Sequence, residues 1–164
     1  MVKKAEEIIG EKLRDRGLRL AVAESCTGGL VGHRLTNVPG SSTYYMGSVT
    51  AYAYEAKVRL LDVEWETLEE HGAVSAETVE EMAGGVRRAL AADVGIAVSG
   101  IAGPGGGTKE KPVGLVWMAL SAGDGDWTQE HHFDGDRLSV KEQAAEKALQ
   151  MGLDYLNGKL AKAR

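Results

Sequence analysis

With Cys26 its only cysteine, the sequence can form no internal disulfide and has no C-x-x-C pair to bind zinc. Aromatic residues are scarce, with one phenylalanine in the chain, so a core must be built from Ala, Val, Leu and Ile, which leans towards layered α/β structure. No apolar run reaches the length of a bilayer-spanning helix. The first thirty residues carry Lys3, Lys4, Glu6, Glu7, Glu11 and Lys12 in an amphipathic pattern, which is not that of a signal peptide. A soluble, cytoplasmic protein without membrane contact is expected. A basic excess is also lacking. The 19 Lys and Arg against 24 Asp and Glu leave a net charge of −5, which argues against non-specific nucleic-acid binding. Internal repeats, low-complexity stretches and linkers are absent, and 164 residues suit a single domain spanning 1–164.

Glycine, in contrast, is plentiful: 22 residues, well above the roughly 7% average. Many of them lie in two clusters, around residues 28–29 and 100–107. The remaining pattern alternates helix and strand. Ala5, Ile8, Ile9 and Leu13 fall at helical spacing over 2–16, and Gly17 is placed to end that helix. Strands are expected at 18–23, 45–53, 93–99, 113–121 and, as an edge strand, 127–133. Helices are expected at 28–37, 55–61, 65–71, after an N-capping Ser75, and at 137–156, where Ser139 and Glu142 offer an internal capping box. Interleaved helices and strands point to a three-layer α/β/α sandwich, and the hairpin spacing of the last two strands makes the sheet mixed but mostly parallel.

The stretch Ala21-Val-Ala-Glu-Ser-Cys-Thr-Gly-Gly29 is where chemistry is first expected. It puts Ser25 on a tight turn from a strand into a helix, with backbone N–H groups around it. That arrangement suits either a nucleophile with its oxyanion hole or an anion site at a helix N-terminus. The second glycine cluster follows an apolar strand, but it is neither a Walker A loop nor a G-x-G-x-x-G fingerprint. Among bases for a serine, His33 and His71 read as surface positions, and the neighbouring His131 and His132 point to opposite faces of a strand. A desolvated lysine is the other option. Lys57, set among Tyr52, Tyr54, Ala56 and Val58, is the attractive one, although a lone lysine is more often a surface residue. Arg137 at a helix start opposes the helix dipole, which suits a carboxylate or phosphate clamp, or a pair with Asp134 or Asp136. Cys26 is expected to point into the core.

Seven stretches together resemble one family: Ala-Glu-Ser-Cys-Thr-Gly-Gly (23–29), Pro-Gly-Ser-Ser (39–42), Glu-Ala-Lys (55–57), His-Gly-Ala-Val-Ser (71–75), Ser-Gly-Ile-Ala-Gly-Pro (99–104), Lys-Pro-Val-Gly (111–114) and Gly-Asp-Arg (135–137). In this order and spacing they resemble the CinA C-terminal domain family, the PncC-type nicotinamide mononucleotide deamidases. The resemblance implies a Ser–Lys amidohydrolase that converts the carboxamide of nicotinamide mononucleotide to nicotinate mononucleotide and ammonia, with neither metal nor cofactor. By motif, Ser25 is the expected nucleophile, Lys57 its base, and Tyr52 an assistant beside them. Arg137 would hold substrate, and the Thr27–Gly28–Gly29 and Ser99–Gly100 turns would supply backbone donors. A homodimer is expected, as for many small α/β enzymes. The family's Tyr-Ser-Asn-Glu-Ala-Lys run reads Tyr-Ala-Tyr-Glu-Ala-Lys here, placing Tyr54 where an asparagine is usual. The alternative expectation is a non-catalytic nucleotide-binding regulatory module linked to competence or DNA-damage responses.

Overall fold

Alternation along the strands decides the layers. On β1 (Leu20–Glu24) and β3 (Val94–Gly100), Leu20, Val22, Ile96 and Val98 pack on one face and Ala21, Ala23 and Ala97 on the other. β4 (Leu115–Ala122) continues the pattern, with Val116, Met118 and Leu120 against Ala119. The computed structural model describes residues 1–161. It adds β2 (Tyr45–Thr50) and β5 (Gly125–His132) to complete a five-stranded sheet in the order β2-β1-β3-β4-β5. β1 pairs in parallel with β2 and β3, whereas β3–β4 and β4–β5 are antiparallel. Only β4 therefore runs against the rest, and the sheet is mixed and mostly parallel as expected.

Helices cover both faces, giving the three-layer sandwich. The large aliphatic face carries α1 (Ala5–Arg16), α2 (Leu30–Thr36) and α6 (Arg137–Leu156). The alanine face carries α3 (Tyr54–Leu61), α4 (Trp65–His71) and α5 (Ala76–Ala89). Small residues on that second face let backbones meet. A Cβ on Gly95 of β3 would lie 2.3 Å from the Ala83 carbonyl oxygen of α5, and one on Gly85 of α5 only 1.8 Å from the Leu61 oxygen of α3. This close stacking draws α3, and with it Lys57, onto the sheet.

The element ends follow from local chemistry. Gly17 ends α1 in the left-handed conformation at φ 64°, and the Ser75 side chain accepts the Thr78 N–H at the start of α5, both as expected. The strand expected over 45–53 ends at Thr50: the Ala51 N–H to the Glu24 carbonyl is the last bond of the β1–β2 ladder, and Ala53 already caps α3. The capping box expected at Ser139 and Glu142 does not form. Asp136 caps α6 by accepting the Ser139 N–H, and the Ser139 hydroxyl bonds Gln143 instead. Among the described residues no helix is long and apolar enough to cross a membrane.

Candidate active site

Ser25 lies at the carboxyl end of β1, where the chain leaves β1 towards β2 on one side and β3 lies on the other. In an open α/β sheet this switch point is where a crevice forms beyond the strand ends. The Ser25 N–H donates to the Val98 carbonyl at 3.0 Å, the last bond of the β1–β3 ladder, and Ser25 and Ser99 directly follow the paired Glu24 and Val98. Both are buried.

Lys57 reaches this point from α3 and is fully buried, not the surface lysine that its type would suggest. Its Nζ donates to the Ser25 Oγ at 2.9 Å and to the carbonyls of Ala51 and Tyr52, each at 2.8 Å. No carboxylate is among these partners. Desolvation therefore dominates and brings the Lys57 amine down from 10.5 to about 8. Once neutral, the amine keeps two N–H groups for the two carbonyls, and its lone pair faces the serine. The backbone leaving β2 thus aims the base.

Glu24 was not singled out by the sequence reading, yet it builds the turn. Its carboxylate is completely buried and accepts the Thr27 hydroxyl at 2.7 Å, the Val31 N–H at 2.9 Å and the Gly32 N–H at 3.1 Å. It fills the start of α2 from within and takes the Val31 and Gly32 N–H groups, which are then not available to an external anion. Gly28 and Gly29 take positive φ of 60° and 102° to carry the chain around it. The signal in sequence was the Glu-x-x-Thr spacing, obscured because Glu24 falls at the end of an apolar strand. Glu24→Gln sets an amide N–H₂ against backbone or hydroxyl donors that are already buried. A loss of about 1–3 kcal/mol is expected, read as a fall of several degrees in Tm; an unchanged Tm would contradict this role.

Arg137 pairs with neither Asp134 nor Asp136. Its Nη1 donates to the Gly103 carbonyl at 2.7 Å and its Nη2 to the Tyr52 hydroxyl at 3.3 Å, so α6 is tied to the glycine-rich loop and to the segment after β2. Tyr52 serves Lys57 with its carbonyl, while its largely exposed ring sits with Arg137. Thr27 gives its hydroxyl to Glu24, and the Gly28 N–H is committed to the Ser25 carbonyl at 3.1 Å. Gly100 is needed for packing, since a Cβ there would meet Val116 at 2.6 Å. Tyr54 turns away from the pair, with its ring tilted against Trp65 at 6.3 Å. Cys26 packs in the core, and burial pushes its thiol up to about 11, which removes it as a nucleophile at neutral pH. His131 stacks on Phe133 and His132 meets Glu130, so neither approaches Ser25, and among the described residues no His, Cys, Asp and Glu cluster suits a metal ion. A groove of about 560 Å³ lies between α1, α2 and α6 around the Glu6–Arg34 ion pair and contains neither Ser25 nor Lys57.

A mixed α/β sandwich that buries a serine–lysine pair at its switch point defines the class of protein. The chain belongs to the CinA C-terminal domain family, whose model matches residues 2–156. It is 49% identical over 150 residues to a CinA-like protein of Desulfotalea psychrophila, a match covering 92% of this chain and 36% of that one. The chain thus spans about a third of the length of the curated relatives it matches. The crystal structure of the competence/damage inducible protein CihA from Agrobacterium tumefaciens superposes with a TM-score of 0.87 at 39% identity, covering 96% of this chain and 99% of the other. A CinA superfamily protein from Escherichia coli gives a TM-score of 0.89 at 34% identity over 92% of this chain and 88% of its own.

Proposed function

We propose that the protein is an amidohydrolase that cleaves the carboxamide of nicotinamide mononucleotide, giving nicotinate mononucleotide and ammonia. The observation that carries this reading is the Lys57 amine, buried without a carboxylate, tied to two carbonyls and left facing the Ser25 hydroxyl. The substrate itself comes from the family resemblance. In the proposed sequence neutral Lys57 takes the Ser25 proton as Oγ bonds to the amide carbon. The oxyanion is held by amides of the turn; those of Thr27 and Gly29 are not committed to backbone acceptors. One such donor is worth about 10²–10³ in rate. The C–N bond then breaks, Lys57 returns the proton to the departing nitrogen, and ammonia leaves. Water, deprotonated by the same amine, hydrolyses the ester and restores Ser25.

The regulatory alternative is less well supported, because nucleotide binding alone does not call for a buried amine held against a serine hydroxyl. The test is to incubate the purified protein with nicotinamide mononucleotide and measure ammonia and nicotinate mononucleotide. Equal amounts of both are expected. Tight binding without either product would favour the regulatory module.

A further inference from the structure

A cavity of about 360 Å³ opens two residues beyond Ser25, between the Thr27–Gly29 turn and the first turns of α6. Its wall includes Lys141, His33 and the exposed Leu138. Lys141 follows Arg137 by four residues, so α6 shows two cations on the same side. Arg137 is engaged with Gly103 and Tyr52, whereas Lys141, half-buried, has no hydrogen bond or ion pair among the described residues. Its Nζ lies 3.7 Å from where a Cβ would stand on Gly28, directly over the turn that follows the serine. Only glycine at positive φ leaves the backbone this open to a ligand. The acidic groups nearby do not neutralise it: Glu24 is buried beneath the turn with its own three donors, and Glu142, on the same wall, is exposed and makes no ion pair with it.

We infer that this cavity receives the phosphomonoester end of the substrate, with Lys141 as the residue that selects for it. The inference rests on the proposed amidohydrolase reading, which places the amide at Ser25. The two ends then lie either side of the Thr27–Gly29 turn. An ammonium over that turn meets a dianion through charge-assisted hydrogen bonds, the strongest polar contacts available to a lysine. The α2 amides contribute little, because Glu24 holds them. Selection for phosphate therefore falls to a side chain.

The test compares nicotinamide mononucleotide with nicotinamide riboside, which has the same amide without the phosphate. Lys141→Met is expected to lower kcat/KM for the phosphorylated amide by about 10–100-fold, mainly through KM. The riboside should be hydrolysed as well as before, and Lys141→Arg should restore most of the loss. Equal losses on both substrates, or no loss on the nucleotide, would overturn the inference. Calorimetric binding of nicotinamide mononucleotide to Ser25→Ala, with and without Lys141→Met, separates the two claims. Binding that depends on Lys141 in a protein whose parent releases no ammonia would keep the phosphate site and remove the amidohydrolase. Binding that is indifferent to Lys141 removes the phosphate site, whatever the turnover.

Discussion

Lys57→Met is expected to reduce ammonia release from nicotinamide mononucleotide by at least about 10³-fold, the middle of the range for loss of a general base. Methionine fills most of the volume of the lysine but cannot accept the Ser25 proton. In the parent, only the neutral amine acts as base, and with the amine brought down to about 8 roughly a tenth of it is neutral at pH 7. The rate should therefore rise about tenfold per pH unit below 8 and level off above it. Stability carries the same signature. The unfolded lysine keeps its proton up to its ordinary value of 10.5, whereas the folded one releases it near 8. Between these values the unfolded state binds more protons, so the Lys57 contribution to stability rises with pH. Relative to Lys57→Met, the parent should gain stability between pH 8 and 10 in denaturant titrations. A rate profile flat from pH 6 to 9 would show that Lys57 is not the base.

Ser25→Ala is expected to cost still more in turnover, about 10⁴–10⁶-fold, since the bond-forming atom is gone. Substrate affinity should change little, because Oγ meets only the reacting carbon while the turn amides and Lys141 of the proposed site remain. The Lys57 amine loses one partner and keeps the Ala51 and Tyr52 carbonyls, so the fold should hold. Calorimetry with nicotinamide mononucleotide then gives binding without heat of reaction. Loss of binding together with turnover would instead make Ser25 a substrate contact with no covalent role.

The layers and the two central residues were legible in the sequence for different reasons. Alternation of Leu20, Val22, Ile96 and Val98 with small residues is a local pattern, and it marks both the strands and the faces they present. Ser25 announced itself by a strand, a turn and two glycines in succession. Lys57 was attractive only by its apolar neighbours, and its burial depends on Gly85 and Gly95 letting α5 and α3 settle on the sheet, a long-range fit that no window of sequence contains. Glu24 escaped notice because a carboxylate at the end of an apolar strand looks like the strand's exit to solvent, whereas three donors folded back over it. Arg137 was read as a clamp or as the partner of a nearby aspartate. The structure gave it a carbonyl 34 residues away and a phenol 85 residues away, distances over which spacing carries no information.

The covalent step distinguishes this account from one in which the serine only binds. Protein mixed with nicotinamide mononucleotide, acid-quenched within the first turnovers and digested, should yield the peptide spanning 20–34 with its mass raised by one acyl nucleotide, and fragmentation should place the ester on Ser25. An adduct on the neighbouring Cys26, or full product release with no acylated peptide at any quench time, would contradict it.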